Sequence, residues 1–378
     1  MNPIFFVLDV ILAGLTLFYS AFIVFHLVSW NRLTFDGKSK NNLHTKISIL
    51  IPSRNEEKNI GKCLASILAQ DYPKELMEII VCNDQSGDDT KNEALKVLES
   101  SGINYQYISA TSLPSNKKKA IEGGIKASSG QLILLTDADC TAEKTWVSSM
   151  VNSFEESHAK MLCGPVALTD EKKLCEKFQG LEMCGLSILS GAGINLGIPL
   201  LCNGANIAYT REAFEAVEGF KGIDELPTGD DTLLLFKIAS KFPGSINYVK
   251  TGEAFVYSTA QHSWKEFFQQ RIRWASKGLQ SKNTLNSSVS LLVFLSNFLL
   301  LVCGILTFVY PPSILIFLIC LAVKSAVDFL LLTFGSVFFR KTKLLLYFLI
   351  FEIITMFYTS LVGFIAPFSR YQWKGRNY

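Results

Sequence analysis

The chain has 378 residues, 49% of them hydrophobic, and a mean hydropathy of +0.28. That is too apolar for an ordinary soluble protein of this length, and the excess lies at the two ends, so the composition points to a membrane protein. A net charge of only +3, from 36 basic against 33 acidic residues, implies no nucleic-acid partner, and nine cysteines without a CxxC or paired spacing read as free, mostly buried thiols.

Residues 3–28 form one apolar run broken by Asp9, His26 and a few small polar residues, long enough for a hydrocarbon core of about 30 Å. No basic residue precedes it and no small-residue cleavage site closes it, while Arg32, Lys38, Lys40 and Lys46 follow. Residues 1–30 therefore read as a retained signal anchor. The positive-inside rule puts the N-terminus outside and the chain after Trp30 in the cytosol.

Over 46–260 the pattern changes to short apolar runs alternating with charged helical segments, which predicts an α/β fold with a mainly parallel sheet. Strands are expected over 47–52, 78–83, 105–109 and 131–136, and helices over 58–69, 90–101 and 117–128. Three of these strands end in polar clusters: Pro52, Arg54, Asn55 and Glu56 at the first, Asp84 at the second, Asp137 and Asp139 at the last. In an open α/β sheet the carboxyl ends of the strands form the ligand crevice, so the clusters should converge. Carboxylates two residues apart suit Mg2+ or Mn2+, and such an ion keeps positions open for phosphate oxygens, which favours a nucleotide diphosphate. A self-satisfied Asp-rich turn would look the same. No GxxxxGK[ST] is present, and no GxGxxG follows the first strand.

Further on, 186–201 is apolar and glycine-rich, either a loop lining an acceptor site or a buried helix and turn. Asp230 and Asp231 open a helix expected from Thr232, where acidic residues also cap and favour the helix dipole. Over 262–280 an amphipathic helix is expected, with Trp264, Phe268, Ile272, Ala275 and Leu279 on an apolar arc suited to the membrane interface. Gln270, Arg273, Trp274 and Lys277 fall on a different face, and the spacing sets Gln270, Arg273 and Trp274 side by side. A plain interfacial helix with snorkelling arginines is the simpler account, but it leaves Trp274 off the apolar arc unexplained.

Apolar stretches over 289–310, 313–338 and 344–367, within a membrane region 287–367, predict further spans, separated by Pro311–Pro312 and the basic loop Arg340–Lys343. The basic tail 368–378 would then lie outside, against the positive-inside rule, unless the last segment is re-entrant or interfacial. Lys324 and Asp328 share one helix face and neutralise each other there, whereas Glu352 stands alone.

Taken in order, "ILIPSRNEEKNIGKCLASILAQDYP", "EIIVCNDQSGDDT" and "KKKAIEGGIKASSGQLILLTDADC" resemble the nucleotide-binding half of glycosyltransferase family 2, with its GT-A fold. "CNGANIAYTREAFEAVEGF" and "GDDTLLLFKIA" resemble its acceptor half. "QRIRW" resembles the Q-x-x-R-W motif of the membrane-embedded branch, which includes cellulose and hyaluronan synthases, poly-N-acetylglucosamine synthases and ceramide glucosyltransferase. The resemblance runs from about Lys46 to Gly278 and implies an inverting, metal-dependent enzyme that uses a UDP-sugar. It implies that Asp84 contacts the uracil or ribose, that Pro52, Arg54, Asn55 and Glu56 line the same pocket, and that Lys117 sits near the nucleotide. Asp137 and Asp139 would hold Mg2+ or Mn2+ with the diphosphate, and Asp231 would be the catalytic base. The family often has Glu-Asp where this chain has Asp230-Asp231, which leaves the role of Asp230 open.

The chemistry asks for these groups on its own terms: a carboxylate to take the acceptor hydroxyl's proton, and positive charge for the departing diphosphate. Arg273 can neutralise that diphosphate, Trp274 can give an acceptor an aromatic platform, and Gln270 can orient it. The expected acceptor is lipid-linked or otherwise membrane-delivered, because the spans leave little protein for a channel and the F-x-V-T-x-K sequence of cellulose synthases is absent. A processive polysaccharide synthase is the alternative. A binding protein without catalysis should lack the base or a metal ligand, and a transporter would leave the acidic crevice without a purpose. The expected location is the plasma or inner membrane of a bacterium, multi-pass, with the catalytic domain cytosolic.

Overall fold

The computed structural model describes residues 3–34, 43–109, 116–224, 229–280, 283–368, 372–373 and 376–377. Lys38, Lys40, Arg370 and Lys374 lie outside the described residues, and so do the side chains of Lys277 and Leu279. The chain forms two units, one from Arg32–Asp170 and Ser190–Thr259, the other from Met1–Asn31, Glu171–Leu189 and Ala260–Tyr378.

The chain opens on α1 (Pro3–Arg32) and then alternates: β1 (Ile47–Ser53), α2 (Ile60–Leu68), β2 (Met77–Asn83), α3 (Thr90–Leu98), β3 (Asn104–Ser109), α4 (Lys117–Ala127) and β4 (Leu132–Leu135). Next come β5 (Thr141–Ala142), α5 (Trp146–Ser157), β6 (Met161–Cys163), β7 (Val166–Thr169), α6 (Leu174–Asn195), β8 (Ile207–Thr210) and α7 (Arg211–Ala216). They are followed by α8 (Thr232–Lys241), β9 (Ile246–Tyr248), β10 (Val256–Thr259) and α9 (Trp264–Gln280). Three apolar helices remain, α10 (Thr284–Leu306), α11 (Ile314–Phe338) and α12 (Phe348–Ile365).

In the first unit the main sheet has the order β3-β2-β1-β4-β8-β6-β9, and β5-β10-β7 forms a second, smaller sheet. β1 to β4 run parallel, as expected, while β8 is antiparallel to β4 and to β6. β1 and β2 are buried along their whole length, because helices cover both faces and the strands can be apolar throughout. Ile47, Ile49, Ile51, Ile79 and Val81 pack with Ile60, Leu64, Ala94 and Leu98 in one core. Two polar exceptions satisfy each other: Ser48 Oγ donates to Glu78 Oε1 at 2.5 Å, and the Ser129 and Gly130 amides donate to the same oxygen. Burial works to raise the Glu78 pKa, but these hydrogen bonds outweigh it and hold the carboxyl below its usual range.

Strand order reverses between β1 and β4, and this places the crevice. β1 pairs with β4 only as far as Leu50, yet continues beside β2 to Ser53. The sheet is therefore open on one side of Pro52, where the missing N–H is harmless.

The second unit holds helices long and apolar enough to cross a membrane: Pro3–Arg32, Thr284–Leu306, Pro311–Phe338 and Thr342–Phe368. Leu12, Leu300, Cys303, Cys320 and Met356 form a core shared by α1, α10, α11 and α12. Here one expectation is corrected. Glu352 does not stand alone: Lys324 Nζ lies 2.6 Å from both Asp328 Oδ2 and Glu352 Oε1, and Tyr19 Oη donates to Asp328 Oδ1 at 2.6 Å. A buried charge in this setting needs partners, and three helices supply them.

α9 is helical as expected, and the face it turns into the protein is a different one from the apolar arc. Phe267 and Arg271 are the buried pair at i, i+4, and Phe268 and Ile272 are half-buried. The reason is that Arg271 brings its own partner, Glu182 of α6, and so can turn inward. Phe267 sits among Phe178, Trp264 and Tyr358 in edge-to-face contacts. The apolar stretch 186–201 is helix as far as Asn195, followed by a turn with Gly197 at φ 73°. Of its two readings, helix and turn is the one observed. All nine cysteines are free and buried.

Candidate active site

The β1–α2 and β2–α3 loops are knitted together at the open edge of the sheet. Asp84 N donates to Ser53 O at 2.8 Å, and Glu56 N donates to Thr90 Oγ1 at 2.8 Å. Asn55 stands at φ 54°, a left-handed backbone that Asn tolerates, and its Oδ1 accepts from Gly87 N at 2.9 Å. Arg54 Nη1 donates to Asp84 O at 2.8 Å and lies 3.8 Å from Asp84 Oδ2. Asp84 is only 2% exposed, with the Arg54 guanidinium of the neighbouring loop beside its carboxylate.

α4 begins with three lysines, which oppose the positive end of a helix dipole and so need a reason to be there. For the first two, their partners provide it. Lys117 Nζ lies 2.7 Å from Asp137 Oδ1 and 3.1 Å from Asp230 Oδ2, and Lys118 Nζ donates to Ile223 O at 2.6 Å. Burial works to lower the Lys117 pKa, but Asp137 and Asp230, with Asp231 behind them, raise it above the ordinary lysine value, so the ammonium is permanent.

Asp231 closes the cluster. It caps α8, with Oδ1 accepting from Thr232 N at 2.7 Å, and its Oδ2 accepts from Gly204 N at 3.2 Å. Gly204 precedes β8, whose antiparallel pairing sets Ile207 beside Leu135 and so returns the chain to the edge from which Asp137 projects. The capping and catalytic readings of Asp231 are thus compatible, since the cap orients the carboxylate.

Pro52, Arg54, Asn55, Glu56, Asp84, Lys117, Asp137, Asp139, Asp230 and Asp231 all belong to the first unit, whereas Gln270, Arg273 and Trp274 belong to the second. Two residues of the site were not legible in advance. Gly204 gives no chemical signal as a type. Asn206 is fully buried, accepting from Trp146 Nε1 and donating to Pro165 O and Ala254 O at 2.8 Å each, and it braces the segment behind Gly204.

Among the described residues no three His, Cys, Asp or Glu side chains form a metal cage. Asp137 and Asp139 nonetheless fit an Mg2+-type ion, which takes one or two carboxylates and completes its shell with water and phosphate oxygens. Asp139 is exposed and Asp137 half-buried, so both can be reached. Burial, then Asp139 and Asp137, pushes the neighbouring Cys63 and Cys140 thiols well up, and a hard Mg2+-type ion prefers the carboxylate oxygens to such soft donors.

Comparison with known proteins gives the family and the fold. The family model described as Glycosyl transferase family 2 matches residues 48–186, and that described as Glycosyl transferase family group 2 matches residues 132–366. The chain is 28% identical over 244 residues to a probable glycosyltransferase, YdaM, of Bacillus subtilis, a match covering 61% of this chain and 54% of that protein. It is 30% identical over 123 residues to the glycosyltransferase AglE of Haloferax volcanii, covering 32% of this chain and 40% of that one. The chain thus spans about half or less of these two relatives. Against a dolichyl N-acetyl-alpha-D-glucosaminyl phosphate 3-beta-D-2,3-diacetamido-2,3-dideoxy-beta-D-glucuronosyltransferase of Methanococcus voltae, identity is 26% over 299 residues, with 74% of this chain and 88% of that one covered. Among solved structures, the mannosyltransferase PcManGT of Pyrobaculum calidifontis, in complex with GDP-Man and Mn2+, superposes with a TM-score of 0.62 over 96% of this chain and 98% of that chain at 15% identity. At that identity the likeness establishes the GT-A fold.

Proposed function

Because the chain belongs to glycosyltransferase family 2, we propose that it transfers a sugar from a UDP-sugar to a lipid-linked or membrane-delivered acceptor, with inversion at the anomeric carbon. The observation that carries this reading is the meeting of Asp137, Lys117, Asp230 and Asp231 at the open edge of the sheet.

Asp231 is the base. Its two oxygens are oriented by the Thr232 and Gly204 amides, so the carboxylate is in place to accept the acceptor hydroxyl's proton as that oxygen attacks C1. One base and one displacement turn an α-linked donor into a β-linked product. Asp230 holds Lys117, and Lys117 supplies fixed positive charge at the diphosphate end of the crevice. Asp84, with Pro52, Arg54, Asn55 and Glu56, lines the nucleoside pocket. Asp137 and Asp139 would hold Mg2+ or Mn2+, which when bound supplies charge for the diphosphate. Gln270, Arg273 and Trp274 are assigned to the diphosphate and acceptor from the motif they form.

The lipid-linked acceptor is supported by the apolar helices and by the Methanococcus voltae relative, named for a dolichyl phosphate-linked acceptor. The four apolar helices among the described residues favour a multi-pass protein, and Arg32 at the end of α1 with Lys46 beyond it favours the catalytic domain on the cytosolic side. The test is release of UDP from one donor sugar, lost in Asp231→Asn.

A further inference from the structure

Arg271 lies inside the Q-x-x-R-W motif at a position that the motif leaves free, yet it is the most buried side chain of the five. Its guanidinium is engaged on every side. Nε lies 3.1 Å from Glu182 Oε2 and 3.3 Å from Oε1, and Nη2 donates to the same carboxylate. Nη1 donates to Gln270 Oε1. The Phe267 ring lies 4.5 Å from its centre and the Trp274 ring 4.2 Å. Glu182 in turn accepts from the Tyr358 hydroxyl of α12. An arginine so enclosed cannot also reach a ligand.

We propose that Arg271, Glu182 and Tyr358 are positioning residues of the transfer reaction: Arg271 is the post to which Gln270 and Trp274 are fixed, and Glu182 with Tyr358 fixes the post. The inference rests on the assignment of the motif to the diphosphate and acceptor.

Three observations carry it. First, both motif side chains that touch Arg271 do so through their functional groups, the amide oxygen of Gln270 and the ring of Trp274. Each has therefore lost rotamer freedom before any ligand arrives, which is what preorganisation requires. Second, the planar fork is used in full, toward a carboxylate on one edge and an amide on another, with aromatic rings against it; a lysine could not reproduce this. Third, the link to Tyr358 places the anchor on a membrane-type helix. Such an anchor suits a motif whose acceptor comes from the lipid phase. The same geometry explains why Trp274 leaves the apolar arc of α9: it covers Arg271.

Removing Glu182 alone would leave a buried, unpaired guanidinium and risks misfolding, so the test uses milder variants of the full chain in lipid nanodiscs. These are Tyr358→Phe, Arg271→Lys and the charge-free double variant Glu182→Gln with Arg271→Met. Amide exchange of 264–276 is followed by mass spectrometry, and kcat and donor KM are measured beside the melting temperature. Tyr358→Phe should speed exchange in α9 and lower kcat about fivefold, the scale of one hydrogen bond, with melting unchanged. The double variant should lose about a hundredfold in kcat, the scale of a misplaced catalytic group, with donor KM within about twofold. Arg271→Lys should not rescue. A folded double variant with wild-type exchange or wild-type kcat overturns the proposal, and if that variant does not fold, an unchanged kcat in Tyr358→Phe overturns it. Absence of sugar transfer in the wild type would instead sink the functional reading, and α9 exchange would still decide whether the anchor holds the helix.

Discussion

The Gly204 amide donates to Asp231 Oδ2 at 3.2 Å, and a Cβ added to Gly204 would stand 3.3 Å from Asp231 Cβ and 3.4 Å from Oδ2. Gly204 is thus needed for close approach, not for an unusual backbone angle. Gly204→Ala should push the carboxylate by a few tenths of an ångström and lower kcat by about tenfold to a hundredfold, leaving UDP affinity unchanged. Steady-state kinetics beside UDP titration decide this; a wild-type kcat would show that the amide does not orient the base.

Lys117 carries the opposite test, on binding. Lys117→Met keeps the side-chain length but leaves Asp137 and Asp230 facing the crevice without their shared cation. UDP affinity measured by calorimetry should fall by about tenfold to a hundredfold, the range for one charged hydrogen bond. An unchanged Kd would mean that Lys117 only holds the two carboxylates apart.

In the membrane unit the order of two effects is predicted. Lys324→Met leaves Asp328 and Glu352 buried without their cation and should destabilise by about 3–5 kcal/mol, whereas Glu352→Gln keeps the Lys324–Asp328 pair and should cost about 1 kcal/mol. Thermal unfolding in nanodiscs ranks the two. The reverse order would contradict the arrangement of the triad.

Glu176 gives the pH dependence its sign. The Lys173 amide first, then His262 and the Lys172 amide, lower its pKa from the ordinary 4.5 to about 2. Its contribution is therefore complete above pH 4.5 and is lost as pH falls toward 2. The melting difference between wild type and Glu176→Gln should be largest near neutrality and shrink below pH 4.5; a difference that stays constant to pH 3 would contradict it.

What could be read in the sequence follows physical range. β1, β2 and β4 and the helices between them were legible because two-faced burial writes continuous apolar runs. Asp84, Asp137 and Asp139 were legible because strand ends in such a sheet point to the crevice. The contacts that escaped are long in sequence: Tyr19 and Asp328 are 309 residues apart, Arg271 and Glu182 are 89 apart. No periodicity encodes such pairs. The burial of Arg271 escaped for the same reason, since an arginine on an amphipathic helix gives no sign of facing inward until its carboxylate is known. Gly204 acts through what it lacks, and Asn206 looks like any loop asparagine until its partners at Trp146, Pro165 and Ala254 are seen.

The central claim is that Asp231 removes a proton from an acceptor during transfer from a nucleotide-sugar. The measurement that bears on it most directly is UDP release by the purified full chain across a panel of UDP-sugars, with Mn2+ or Mg2+ and a lipid extract, beside Asp231→Asn. The prediction is release with one donor, abolished in Asp231→Asn while UDP still binds that variant with near wild-type affinity. Release that persists in Asp231→Asn would contradict the claim.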